Sequence, residues 1–118
     1  MSTLKLDTLS NKAGTASVPS DTIVSGTAKA WVNFNGTGTV AIRRAFNVSS
    51  ITDQGTGIYT VNFTNAMQDT NFSATAWDDY YGTGWATAIT SPSSIQTKRY
   101  NAASSYYDPV TCFVTIFS

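Results

Sequence analysis

Residues 58–64 read Ile-Tyr-Thr-Val-Asn-Phe-Thr, and their alternation constrains the whole chain. Tyr59, Val61 and Phe63 fall on one side while Thr60, Asn62 and Thr64 fall on the other, the period-two signature of a strand with one buried face. The same grammar recurs up and down the sequence. In Lys29-Ala-Trp-Val-Asn-Phe, the positions Ala30, Val32 and Phe34 share a face, and Asn35-Gly36 follows with the positive φ preference of a hairpin turn. Residues 40–48 place Val40, Ile42, Phe46 and Val48 on one side with Arg44 as the intruder, which a bulge or a rim position accommodates. A second turn spans residues 52–57, where Asp53 suits an Asx turn. Further short strands are expected near residues 71–77, 85–89, 95–100 and 110–117. About seven short strands at this turn spacing predict an all-β fold, an antiparallel β-sandwich.

Composition agrees. The chain has 118 residues, enough for one domain, and strand-favouring Thr, Val, Ile, Phe, Tyr and Trp dominate it. Seven basic and seven acidic side chains cancel, all seven acids are Asp, and charged residues make up 12%, about half the usual share. Neutrality gives no electrostatic footprint for nucleic acid or an anionic membrane, and so thin a charge layer protects poorly against self-association. The absence of His removes the usual general base, the triad imidazole and the commonest transition-metal ligand. Cys112 is the single cysteine, so neither an intrachain disulfide nor a thiolate metal cluster forms, and Val110-Thr-Cys-Phe-Val reads as a buried small hydrophobe. The expectation is therefore no enzyme, no catalytic residues, no metal and no cofactor. No signal-peptide h-region and no stretch apolar enough to insert in a membrane are evident.

The first residues differ from the rest. Residues 1–26 contain no aromatic residue and only scattered aliphatics, Leu4, Leu6, Leu9, Val18, Ile23 and Val24. Such a segment cannot bury itself, so it reads as an extended stem or anchor ahead of a β-module at residues 27–118. At the other end, Val110, Cys112, Val114 and Ile116 occupy one side of the last strand and Phe113 and Phe117 the other. Two apolar sides imply a wholly internal strand or a face covered by another chain. Leu4, Leu6, Leu9, Phe113 and Phe117 are accordingly the candidate subunit-interface or anchor residues.

One loop concentrates recognition chemistry. Between Trp77 and Trp85 lie Asp78, Asp79, Tyr80 and Tyr81, so four aromatics and two carboxylates crowd nine positions. Rings stack on sugar faces and carboxylates accept sugar hydroxyls, which makes these six residues candidate glycan or receptor contacts; packing at the ends of two strands is the competing reading. Asp78 and Asp79 are expected as solvated loop acids, Arg43-Arg44 and Lys98-Arg99 as rim charges. Residues 100–109, rich in Tyr and Ser, suit either recognition or closure of a sandwich end.

Residues 30–63, from Ala30-Trp-Val-Asn-Phe-Asn-Gly-Thr-Gly-Thr-Val through Gln-Gly-Thr-Gly-Ile-Tyr-Thr-Val-Asn-Phe, resemble a β-rich module recurrent in tail-fibre and other virion structural proteins of tailed bacteriophages, marine and cyanobacterial phages among them. The opening Met1-Ser-Thr-Leu-Lys-Leu-Asp-Thr-Leu is similar to the start of many such proteins. The resemblance implies a homotrimeric virion component, assembled with other virion proteins, with the stem held on the particle and the sandwich displayed toward a host-surface glycan. A short fibre or spike-type module is the expected form, a capsid decoration protein the alternative.

Overall fold

A computed structural model describes residues 2–79, 84–101 and 103–118. Ten strands and one short helix run in the order β1 (Thr8–Ser10), β2 (Ser17–Pro19), α1 (Ser20–Gly26), β3 (Ala28–Asn35), β4 (Ala41–Phe46), β5 (Val48–Asp53), β6 (Ile58–Phe63), β7 (Ser73–Asp78), β8 (Gly84–Ser91), β9 (Ser94–Tyr100) and β10 (Cys112–Phe117). The all-β expectation holds. Strands β4-β3-β10-β7 form one antiparallel sheet and β5-β6-β9-β8 another, while β1 and β2 make a separate hairpin.

The two large sheets share one core. Ala30, Val32 and Phe34 of β3, Ala76 of β7 and Cys112, Val114 and Ile116 of β10 meet Tyr59, Val61 and Phe63 of β6 and Ile95 of β9, with Met67 and Phe72 from a connection. Phe34 and Tyr59 touch edge to face with ring centroids 5.2 Å apart, and Phe63 packs on Phe72 in the same manner. The alternation in β6 thus positions the core as expected.

Residues 40–48 correct the reading in two ways. They are not one strand: Asn47 adopts φ 55, a left-handed conformation that Asn tolerates better than most residues, and the chain passes there from β4 in one sheet to β5 in the other. The Asn47 side chain fixes the crossing, its Nδ2 donating to the Lys29 and Asn65 carbonyls while its Oδ1 accepts from Asn65 N at 2.7 Å. Arg43, not Arg44, is the irregularity. Asn33 pairs with Arg44 and Phe34 with Ile42, so Arg43 is the bulged extra residue. Its guanidinium reaches Thr111 Oγ1 and the Val110 carbonyl at 3.2 and 2.7 Å. The bulge shifts the period by one, so Ala45 faces the core and Phe46 faces outward, 54% exposed.

The turn at Asn35-Gly36 also works differently. Positive φ occurs at Gly38, and Asn35 Oδ1 accepts from Thr37 N. Gly36 is instead demanded by proximity, since a Cβ there would sit 2.4 Å from the Tyr59 hydroxyl and 2.9 Å from the Pro109 carbonyl. That hydroxyl lies 2.9 Å from Asp108 Oδ1 and 3.0 Å from the Gly36 carbonyl oxygen, and Asp108 Oδ1 accepts from Gly57 N. The carboxylate therefore pins the connection before β10 to the β5–β6 hairpin, and Gly36 N donating to the Pro109 carbonyl at 3.0 Å ties it to the β3–β4 hairpin. At the second turn, Asp53 Oδ1 accepts from Gly55 N, the Asx geometry.

Residues 2–26 are not a plain extended stem. Asn11 organises a turn by accepting from Thr15 N and Ala16 N, which closes the β1–β2 hairpin ahead of α1. None of the arm's side chains is buried, and Leu4 is 82% exposed. The radius of gyration is 17.1 Å against about 13.5 Å for a compact chain of this length. The accessible surface is 7393 Å², roughly 1,200 Å² above the scaling value for a monomer of this mass.

Candidate functional site

The outer face of the β4-β3-β10-β7 sheet gathers most of the exposed aromatic rings of the described residues. Strand registry arranges it in rows. Phe46, Trp31, Thr115 and Thr75 stand side by side across the four strands. The next row holds Arg44, Asn33, Phe113 and Trp77, and Phe117 beside Ser73 begins a third. Adjacent strands are about 4.8 Å apart and same-face rows about 6.7 Å, so five aromatic rings occupy a patch about 14 Å across. Trp31, Phe46, Trp77, Phe113 and Phe117 are all exposed, Trp77 to 62%. The rings average a little under half exposed, which at about 200 Å² per aromatic side chain leaves roughly 450 Å² of ring surface in water. Apolar area of that size on one face is at the level where the largest patch of a small protein is often functional.

The opposite outer face, on β5-β6-β9-β8, has the reverse character. Asn62 Nδ2 donates to Ser50 Oγ and Thr52 Oγ1, and Gln96 Nε2 donates to Gln54 Oε1 at 2.7 Å. Hydroxyls and amides bond laterally across the strands and suit water. The two faces of one small protein are thus built for different surroundings.

The proposed interface residues Phe113 and Phe117 lie on the aromatic face, and β10 is internal to its sheet, paired on both edges with its outer side uncovered. Leu4, Leu6 and Leu9 are exposed on the arm. Sequence reasoning missed Trp31 and Phe46. The signal for Trp31 was present in its opposite phase to Ala30 and Val32, whereas Phe46 was hidden by the bulge.

Of the six glycan-contact candidates, Trp77 and Trp85 do not share a surface. Trp77 faces outward on β7, while Trp85 on β8 of the other sheet turns inward and packs against the core. Asp79 is exposed, and Tyr80 and Tyr81 lie outside the described residues. Asp78 is not a solvated loop acid, nor Arg99 a rim charge. Arg99 is 0% exposed and Asp78 4%, and Arg99 Nε donates to Asp78 Oδ2 in an ion pair that joins β9 of one sheet to β7 of the other. The Arg99 guanidinium also lies over the Tyr107 ring at 4.9 Å and near the Trp85 ring at 5.9 Å, and it donates to the Tyr100 carbonyl. The Tyr-rich segment accordingly closes this end, Tyr106 bridging to Tyr100. Among the described residues three buried side-chain polar atoms lack a hydrogen-bond partner, Trp85 Nε1, Thr97 Oγ1 and Arg99 Nη2, all on β8 and β9.

Cys112 is buried, and its thiol is pushed up from the ordinary 9.0 to about 12, first by desolvation and then by the Asp78 carboxylate. Burial and the Asp108 bond raise the Tyr59 phenol as well. In the unfolded chain both groups lose protons earlier than in the folded one, so the native state holds the extra protons and stability falls as pH rises. The urea midpoint is expected to drop between pH 9 and 12, and Cys112→Ala to flatten that decline while lowering the midpoint at neutral pH. A profile level across this window contradicts the assignment.

Among the described residues no three His, Cys, Asp or Glu side chains group as metal ligands, and no helix is long and apolar enough to cross a membrane. No family model, curated protein or solved structure matches the chain.

Proposed function

We propose that this chain is a virion structural module of the short tail-fibre or spike type, a homotrimer of β-sandwiches held on the particle by other virion proteins. In this reading the polar surfaces face outward for host-surface contact. The likeness of residues 30–63 to tailed-phage modules supports the setting. The observation that carries the assembly is the aromatic outer face of the β4-β3-β10-β7 sheet, five exposed rings with Arg43 and Arg44 at one edge of their rows. Self-association covers such a face where thin surface charge does not oppose it, and obligate oligomers complete their cores in this way.

Capsid decoration remains the second form of the same structural role, favoured by an arm whose exposed aliphatics suit a shell surface as well as a tail. Light scattering at low micromolar concentration tests the shared claim. A mass near 38 kDa, three times 12.6 kDa, is expected for a cyclic trimer. A stable 12.6 kDa species overturns it. Labelling the protein on intact particles separates tail from head, and a glycan array probed with the assembled protein and its Asp79→Ala variant decides whether the exposed Asp79 meets sugar.

A further inference from the structure

The chain carries two uncovered apolar surfaces of different shape, and we infer that each copy lays its N-terminal arm on the aromatic sheet face of the next copy. This rests on the self-assembly read above and specifies how it is built.

A closed ring of three needs a heterologous contact, in which one patch meets a different patch on the neighbour; a face packed on the same face gives a two-fold dimer instead. The aromatic face and the arm are two such patches. The face offers Trp31, Phe46, Trp77, Phe113 and Phe117, and the arm offers Leu4, Leu6, Leu9, Ile23 and Val24, all exposed.

The β1–β2 hairpin has an open hollow lined by Leu9, Ala16 and Val18 with Ser10, Asn11 and Ser17 at its sides, an apolar seat suited to a projecting ring such as Trp77. The aromatic rows carry a basic edge, Arg44 beside Asn33 with the Arg43 guanidinium donating to Asn33 Oδ1, and Asp7 lies on the arm between Leu6 and Leu9 with Lys5 two positions before it. Among the described residues the one ion pair is the buried Arg99–Asp78 pair, so Arg44 and Asp7 are both left to meet solvent or each other across an interface.

The arm does not fold onto its own sheet. The hairpin and α1 pack chiefly on one another, the molecule extends 53 Å along its longest axis against 30 and 25 Å across, and the Lys29 ammonium donates to the Val24 and Thr27 carbonyls where α1 passes into β3. Area points the same way. Roughly 450 Å² of ring surface is about half of the 800 Å² or so that each partner contributes to a standard interface. The Thr, Asn and Arg side chains between the rings, together with a covering arm, supply the remainder.

Cross-linking of the full chain tests the inference. Cys112 is buried with its thiol pushed up, so introduced cysteines are the reactive ones. Ser10→Cys, at the side of the hairpin hollow, and Thr75→Cys, exposed one same-face position from Trp77 on β7, leave every ring and aliphatic of the two patches in place; the two chains carry different tags, are co-expressed and are treated with a short bismaleimide. The expected product joins one chain of each kind, at least tenfold over either like-with-like product, and the Ser10→Cys/Thr75→Cys double variant closes into a covalent trimer on a denaturing gel. An oligomer by light scattering that yields only Thr75→Cys pairs, or only a link within one chain, overturns the arm placement and leaves self-assembly standing. A monomer without intermolecular products overturns both.

Discussion

Arg99→Ala is expected to lower the melting temperature by about 12–20 °C, because breaking one partner of a buried ion pair costs about 3–5 kcal/mol and each kcal/mol moves a domain of this size by about 4 °C. The pair joins β9 to β7 and so ties one sheet to the other, at the end of the core where Tyr107 and Trp85 flank the guanidinium. Removing Arg99 leaves the Asp78 carboxylate buried without its cation, and it also deletes the aliphatic stem that fills the space between sheets. Asp78→Asn acts from the other side and is expected to cost a similar amount. The diagnostic variant is the double one. Arg99→Met with Asp78→Leu replaces two charges by apolar groups of comparable size and is expected to recover most of the loss, since a buried pair costs nearly as much desolvation as it returns in attraction. Thermal melts at one fixed protein concentration measure all three. A fall of under about 5 °C in either single variant means that the pair does not hold the sheets together.

That pair shows where sequence reasoning stopped. Lys98-Arg99 looks like any solubilising doublet, and Asp78-Asp79 like any loop acid, because burial of a charge depends on a partner 21 positions away and on a sheet register that no local pattern encodes. Periodicity, by contrast, is local. Tyr59, Val61 and Phe63 and, in β3, Ala30, Val32 and Phe34 are core residues as their spacing says. The strand over residues 40–48 failed at two single-residue events, the Arg43 bulge and the left-handed Asn47, each of which resets the phase of everything after it. Gly36 shows the same limit from another side. Its neighbour Asn35 suggests a turn requirement, yet the constraint comes from Tyr59 and Pro109, both far along the chain. Phe113 and Phe117 were legible as an uncovered face because β10 is apolar on both sides; that Trp31, Phe46 and Trp77 join them follows only from strand order, with β10 inserted between β3 and β7.

Trp77→Ser with Phe113→Ser is expected to reduce the mass in solution threefold, from that of a trimer to 12.6 kDa, without unfolding the chain. The two side chains are neighbours in one row of the outer face and contribute nothing to the shared core, so their loss from a monomer costs only strand preference and cross-strand contact, about 1 kcal/mol or less at each site. In an assembly the same rings are desolvated, and truncating two central aromatics commonly removes several kcal/mol of association free energy, enough to shift a micromolar equilibrium to monomer. Far-ultraviolet circular dichroism keeps the two effects apart, because an unchanged β spectrum with a reduced mass places the loss in the interface. The matching change on the other sheet serves as the control. Thr60→Ser with Asn62→Ser alters the polar outer face, whose side chains bond laterally in water, and is expected to leave the mass unaltered. Equal loss of assembly from both faces would mean that fold destabilisation, not the aromatic rows, governs association; retention of the trimer in the aromatic variant would place the contact elsewhere on the molecule.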